Sequence, residues 1–116
     1  MRYLTVAAEY IGSCIKDDSQ GQIDCHELLL DEDLCKELEE WNADYKVIIP
    51  LDMDEREQRY DEIKILDERG IRLAKKLTEA IKGGAKVKYY SEGKLKYLDH
   101  VFHAHLTRAV GAKRRR

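Results

Sequence analysis

Residues 54–84 read DEREQRYDEIKILDERGIRLAKKLTEAIKGG, and this stretch predicts a long amphipathic helix. Asp54 followed three residues later by Glu57 is typical of a capping box, and Gly83-Gly84 is typical of a helix end. We therefore expect one helix from about Glu55 to Lys82, roughly 40 Å long at the usual rise per residue. Its apolar residues recur at helical spacing and would face a core: Tyr60, Ile63, Leu66, Leu73, Leu77 and Ile81.

A shorter helix is predicted upstream of Pro50. It opens with Asp31-Glu32-Asp33, because acids in a first turn complement the positive end of the helix dipole. The apolar residues that follow are spaced four, three and four apart, which indicates one buried face: Leu34, Leu38, Trp41 and Tyr45.

The N-terminal residues predict a β-hairpin. From Tyr3 to Ile15 apolar residues alternate with others, with a slip near Gly12 that is typical of a bend or bulge within a strand. Residues 16–21 form a polar turn that ends in glycine, so residues 22–30 would return as a second strand.

A second hairpin is predicted after the long helix. Residues 86–91 and 94–98 flank Glu92-Gly93, and a two-residue connection of this kind indicates a tight hairpin. Val87, Tyr89, Leu95 and Tyr97 would face the core. Four lysines would lie on the opposite face, where the simplest interpretation is a solvated surface that blocks sheet aggregation: Lys86, Lys88, Lys94 and Lys96.

These elements predict an α+β fold with a small antiparallel sheet, two helices packed on one face, a β-hairpin near the C-terminus and a basic C-terminal extension. A chain of 116 residues fits one domain. We expect that domain to span residues 1–98. Residues 99–116, which hold three of the four histidines and end in four cations, form the extension, as a short helix over 101–110 or without fixed structure.

Charge is divided unevenly along the chain. Residues 1–70 contain 20 Asp and Glu against 8 Lys and Arg, whereas residues 71–116 contain 3 against 13. The net charge of -2 therefore combines an acidic part and a basic part. So acidic a segment in so small a protein favours a positively charged partner.

Catalysis, metal binding and membrane insertion are not predicted. Cys14, Cys25 and Cys35 lack CxxC spacing, which favours reduced thiols and a cytoplasmic location over a disulfide framework. Cys25-His26 and the histidines near the C-terminus lack the paired elements of structural zinc sites, so neither a metal nor another cofactor is expected. No signal peptide or membrane-length apolar run occurs in the sequence.

An acidic surface is the predicted binding site. Carboxylates spread over a rigid turn and helix can imitate a row of phosphates and steer a cationic partner electrostatically. Buried aromatic side chains often contribute much of the binding energy at interfaces, so two tyrosines are added as anchors. The predicted residues are Asp17, Asp18, Asp24, Glu27, Asp31, Asp33, Glu37, Glu40, Tyr10 and Tyr45.

Four stretches together carry a family resemblance: YLTVAAEYIGSCIKDD, LLLDEDLCKELEEWNADY, IIPLDMDEREQRYDEIKILDERGIRLAKKLTEAI and KVKYYSEGKLKYL. This order resembles the immunity proteins (CdiI-like) of contact-dependent growth inhibition and related polymorphic toxin systems. The resemblance covers about residues 2–98. It implies a non-enzymatic protein that binds and neutralises a cognate toxin C-terminal domain, and the acidic surface favours a basic nuclease as that toxin.

Two alternatives remain open. The lysine-rich hairpin, with its interleaved tyrosines and the basic residues 113–116, could instead belong to a nucleic-acid-binding regulator. The long helix could also pair two copies of the chain as a homodimer through Ile63, Leu66, Leu73 and Leu77.

Overall fold

The computed structural model describes the backbone of residues 1–104 and the side chains of residues 1–98. Residues 1–104 contain five strands: β1 Arg2–Ala7, β2 Ile15–Asp17, β3 Gly21–Gln22, β4 Ala85–Ser91 and β5 Lys96–Ala104. Three α-helices lie between β3 and β4: α1 Glu32–Tyr45, α2 Met53–Gln58 and α3 Tyr60–Ala80. A short 3₁₀ helix, Cys25–Leu28, precedes α1.

The strands form one sheet in the order β3-β2-β1-β4-β5. The predicted α+β class is confirmed, although the sheet is mixed because β1 pairs with β4 in parallel. Antiparallel neighbours can be joined by short loops, whereas β1 and β4 are separated by all the helices, as a parallel pair requires. The other neighbouring pairs are antiparallel, as predicted.

One face of the sheet is covered by α1 and α3. Four side chains on this face are fully buried: Leu4 and Val6 of β1, and Val87 and Tyr89 of β4. The residues between them point to the other face of the sheet. The predicted apolar stripe of α1 is likewise buried. Trp41 Nε1 donates to the Leu66 carbonyl at 2.8 Å, which joins α1 to α3 inside the core.

The N-terminal hairpin is arranged differently from the prediction. β1 ends at Ala7, the chain reverses through residues 8–14, and β2 returns beside β1 with Leu4 opposite Asp17. The predicted slip near Gly12, where φ is 95°, is therefore part of a chain reversal between two strands. The predicted second strand, 22–30, is reduced to β3, Gly21–Gln22, and the 3₁₀ helix follows because the Asp24 side chain accepts from the His26 amide and caps a helical turn.

The prediction of α1 is correct, whereas the predicted long helix starts earlier than expected and is divided into α2 and α3. The α1 helix begins after Asp31, whose side chain accepts from the Leu34 amide at 2.8 Å. The capping box is formed by Asp52 and Glu55 rather than by Asp54 and Glu57. The helical chain is then interrupted at Arg59, which separates α2 from α3.

Arg56 explains the orientation of α2. Its side chain is 7 % exposed and donates to the carbonyls of Leu51 and Ile49, at 2.9 and 2.7 Å, and to the carbonyl of Glu92. A buried guanidinium needs several acceptors, and here they come from the loop before α2 and from the β4–β5 turn. Arg56 therefore ties α2 to the sheet.

A buried carboxylate joins α3 to β4. Oδ1 of Asp67 accepts from the hydroxyls of Tyr45 and Tyr89 at 2.9 and 2.6 Å, and Oδ2 accepts from Ser91 Oγ at 2.8 Å. Burial of the two phenols beside this carboxylate raises the pKa of Tyr45 and of Tyr89. Gly70 lies one turn further along α3, where an added Cβ would collide with Tyr89.

The C-terminal hairpin has a longer turn than predicted. Val87 and Tyr89 face the core as expected, but Leu95 and Tyr97 are 48 % and 56 % exposed and do not. The turn spans residues 92–95, with Leu95 at a φ of 56°, so side chains after it face opposite to the predicted direction. β5 continues to Ala104, so residues 99–104 of the predicted extension are strand rather than helix. The rest of the extension, 105–116, lies outside the described residues.

The cysteines also differ from the prediction. Cys25 and Cys35 form a disulfide bond that joins the 3₁₀ helix to the first turn of α1. Cys14 is free and buried, and its burial raises its pKa to about 12. The expectation of three reduced thiols is therefore wrong for two of them.

Candidate protein-binding surface

The densest group of acids lies on the 3₁₀ helix and α1. Residues 24–40 contain eight Asp and Glu and one lysine, and we call this stretch the acidic segment. Two of its acids cap helices: Asp24 accepts from the His26 amide at 2.7 Å, and Asp31 caps α1. The amide and imidazole of His26 hold the pKa of the Asp24 carboxyl below its usual range. The capping hydrogen bonds therefore fix both carboxylates in position.

The predicted acids of α1 divide according to what lies beside them. Glu37 is half-buried and accepts from Lys76 Nζ at 2.9 Å, and Glu40 lines a groove shared with Arg69 and Arg72 of α3. Cations of α3 thus balance these two carboxylates. Glu27 of the 3₁₀ helix and Asp33 of α1 are exposed and make no ion pair with any side chain that the structure describes. Asp33 lines a groove that also contains Lys76 of α3.

Two predicted acids lie elsewhere, on the sheet. Asp17 is 8 % exposed and accepts from the Ser19 hydroxyl at 2.7 Å and from Arg2 at 3.1 Å. The hydroxyl and amide of Ser19 hold the pKa of Asp17 below its usual range. Asp18 lies on the face of the sheet opposite the helices, 3.6 Å from Lys88 Nζ. The structure does not bring these two together with the acidic segment.

The two predicted aromatic anchors differ in solvent exposure. Tyr45 is fully buried, so its ring is not available to a partner and its role as an anchor is wrong. Tyr10 is 59 % exposed in the loop of residues 8–14. Asn42 of α1 holds that loop, because its side chain accepts from the Glu9 amide at 2.8 Å and donates to the Glu9 carbonyl at 3.1 Å.

Two exposed apolar residues beside the acidic segment were missed by sequence reasoning. Ile11 follows Tyr10 and is 80 % exposed, and Leu29 at the end of the 3₁₀ helix is 86 % exposed with a φ of 60°. Such φ values are uncommon outside glycine and are often found at functional sites. Ile11 lies inside the first predicted strand region, 3–15, and Leu29 inside the second, 22–30, and no local sequence signal marks either residue as exposed.

The face of the sheet opposite the helices carries acids and bases together. It forms a groove of about 520 Å³ in which Lys16 Nζ is 2.8 Å from Glu9. The lysines of the hairpin are divided between this face and the helical side. Lys88 lies over the Tyr97 ring on this face, whereas Lys94 lies over the Tyr60 ring on the helical side. The single lysine face expected of a nucleic-acid-binding hairpin is therefore not formed.

The predicted pairing surface on the long helix is inside the molecule. Its four apolar residues are at most 8 % exposed, because they pack in the core of their own chain: Ile63, Leu66, Leu73 and Leu77. They are not available to join two copies.

A small α+β domain with an acidic surface edged by exposed apolar side chains has the features of a protein-binding module. The chain belongs to the Serratia CdiI immunity protein-like family, whose model matches residues 2–92, and it is an immunity protein. Comparison with curated proteins gave no match. Within residues 1–104, none of the helices combines the length and the apolar character needed to cross a bilayer.

Proposed function

We propose that this immunity protein acts in the cytoplasm by binding a cognate toxin domain, a basic nuclease, and that it neutralises the toxin by stoichiometric binding rather than by turnover. Membership of the CdiI-like family supports a toxin as the partner. The observation that favours a basic toxin is the concentration of eight carboxylates within the acidic segment, residues 24–40.

The proposed contact surface is the part of the acidic segment whose carboxylates make no ion pair with the described cations of α3. Carboxylates held by helix caps keep their positions on binding, so little ordering entropy is lost. A cationic active-site groove would be attracted over a distance of about one Debye length, near 10 Å at 0.1 M salt. The proposed acidic contacts are Asp24, Glu27, Asp31 and Asp33.

Apolar contacts would complete the interface. Leu29 is exposed within the acidic segment, and Tyr10 and Ile11 are exposed in the loop of residues 8–14 beside it. Side chains of this kind gain most from desolvation at the centre of an interface. We therefore assign the energetic centre of the interface to these three residues and its electrostatic steering to the carboxylates.

Charge reversal tests this proposal. The ligand is the proposed cognate toxin domain, taken from a neighbouring gene. Association is followed by biolayer interferometry at low and high salt, together with inhibition of the toxin's nuclease activity. Asp33→Lys and Glu27→Lys should slow association, and the salt dependence of the rate should become weaker. Asp61→Lys is the matched control, because Asp61 is likewise an exposed acid in the first turn of a helix, α3.

Three outcomes are informative. Slower association for Asp33→Lys than for Asp61→Lys supports the proposed surface. Equal rates for the two variants exclude the acidic segment as the contact surface, even if the toxin is still bound. Failure of the wild-type protein to bind or inhibit that toxin domain overturns the proposed function itself.

A further inference from the structure

The 3₁₀ helix and the first turn of α1 bring together donor groups that metal ions prefer. Cys25 and Cys35 are bonded to each other, and the donor atoms of Cys25, His26 and Cys35 all lie within 4.8 Å of one another. Nδ1 of His26 is 3.9 Å from Cys25 Sγ and 2.9 Å from Oδ1 of Asp24. Two sulfurs, one imidazole nitrogen and one carboxylate oxygen therefore converge.

This donor set fits a four-coordinate soft cation. Zinc binds cysteine sulfur at about 2.3 Å and histidine nitrogen or carboxylate oxygen at about 2.0–2.2 Å, in tetrahedral geometry. Tetrahedral ligands at those bond lengths are separated from one another by about 3.3–3.8 Å. The sulfur–nitrogen and nitrogen–oxygen distances here, 3.9 and 2.9 Å, lie close to that range. Small side-chain movements would complete the coordination.

The surroundings of His26 also fit a ligand. Metal-binding histidines usually donate their other ring N–H to a carboxylate, which fixes the tautomer and orients the ring. His26 Nε2 lies 3.5 Å from Oε2 of Glu32, in the position of such a partner. The cysteines are buried while the His26 side chain is 53 % exposed, so an ion can enter from solvent.

We infer that the reduced protein binds one zinc-class divalent cation through Cys25, Cys35 and His26, with Asp24 as the fourth ligand. A dithiol reductant supplies two electrons and two protons, which break the S–S bond to give two thiols, and the reductant becomes a disulfide. Each thiol then loses its proton to solvent when its sulfur binds the cation, and His26 binds as neutral imidazole. Either the disulfide or the cation would hold the 3₁₀ helix against α1.

Cobalt(II) is the probe for this site, because it occupies zinc sites and reports their ligands by absorption. The full chain is reduced with a dithiol, desalted without oxygen and titrated with Co²⁺. One equivalent should produce a thiolate-to-cobalt charge-transfer band and the intense visible bands of tetrahedral coordination. One equivalent of Zn²⁺ should then abolish both. The oxidised protein should give neither band.

Variants separate this site from adventitious binding. Cys25→Ser and Cys35→Ser should each lose at least half of the charge-transfer intensity, and Asp24→Asn should weaken Zn²⁺ binding by about 10-fold or more. Cys14→Ser is the matched control and should keep the full signal, because Cys14 is the buried thiol outside the cluster. Far-UV circular dichroism of each variant verifies that the fold is retained.

The inference is overturned by any of three results. These are the absence of a charge-transfer band in the reduced wild-type protein, a stoichiometry well above one, or equal loss of the band in Cys14→Ser and Cys25→Ser. The measurement uses no toxin, so its result is independent of the proposed function.

Discussion

The Asn42 side chain and the Glu9 backbone form a reciprocal pair of hydrogen bonds, with the amide of Glu9 donating to Asn42 and Asn42 donating to the carbonyl of Glu9. Asn42 is only 7 % exposed, so this pair satisfies polar groups that solvent reaches poorly. The loop of residues 8–14 is consequently fixed against α1 rather than free to move.

Asn42→Ala should lower the free energy of unfolding by about 1–3 kcal/mol, because the Glu9 amide and carbonyl lose their partners. Urea unfolding followed by circular dichroism measures this change. Gln20→Ala, at an exposed position, is the control and should change stability by less than about 0.5 kcal/mol. Equal stabilities for the two variants would show that the loop is not held by Asn42.

Tyr89→Phe should destabilise the fold by about 1.5–3 kcal/mol, because the Asp67 carboxylate loses one of its three donors while remaining buried. Tyr90→Phe removes the same atom from the neighbouring, half-exposed residue and should have little effect. The two variants are compared by thermal and urea unfolding. The assigned role of Asp67 fails if both lose stability equally.

The lowered pKa of Asp17 predicts that the stability of the fold depends on pH. Its folded-state pKa is below the ordinary value of 3.8, so its hydrogen bonds stabilise the fold above that pH and are lost as pH falls through the folded-state pKa. Asp17→Asn should therefore be less stable than the wild type near neutral pH, and the difference should shrink in acid. Urea midpoints over a pH series, with Asp18→Asn as the control, measure this. A difference that is constant with pH would contradict the prediction.

Thiol counts test the disulfide. The native, oxidised protein should not react with a thiol reagent, because Cys14 is buried and its pKa is raised to about 12. Denaturation alone should expose one thiol, and denaturation with a reductant should expose all three cysteines. Three reactive thiols without a reductant would mean that Cys25 and Cys35 are not bonded.

Local sequence patterns were sufficient where local interactions decide the structure. The α1 helix follows from its apolar spacing and from the Asp31 cap, and both are properties of adjacent residues. The same is true of the helix stop at Gly83-Gly84, where both glycines have positive φ. The capping box was displaced by two residues because Asp52 and Asp54 offer the same pattern to sequence reasoning. The buried hydrogen bonds of Arg56 favour the capping box that begins at Asp52.

Contacts between distant residues account for what sequence reasoning missed. The sequence around Tyr45 does not show that its ring is buried. Its hydroxyl is hydrogen-bonded in the core to Asp67 and to the Gly93 amide, which are both remote in sequence. The candidate metal cluster depends on the 3₁₀ helix, which returns Cys25 to the start of α1, and no cysteine spacing in the sequence encodes that return. The acidic surface was smaller than expected because Lys76 of α3 pairs with Glu37 and because Asp17 and Asp18 lie on the sheet.

The position of β1 at the middle of the sheet affects how the protein is made. Residues 2–7 are synthesised well before one of their two neighbouring strands, β4, which spans Ala85–Ser91. Until then β1 has one unpaired edge, which can pair with other chains. Cotranslational folding therefore cannot finish before residue 91 emerges, and chains terminated earlier should be substrates for chaperones and proteases.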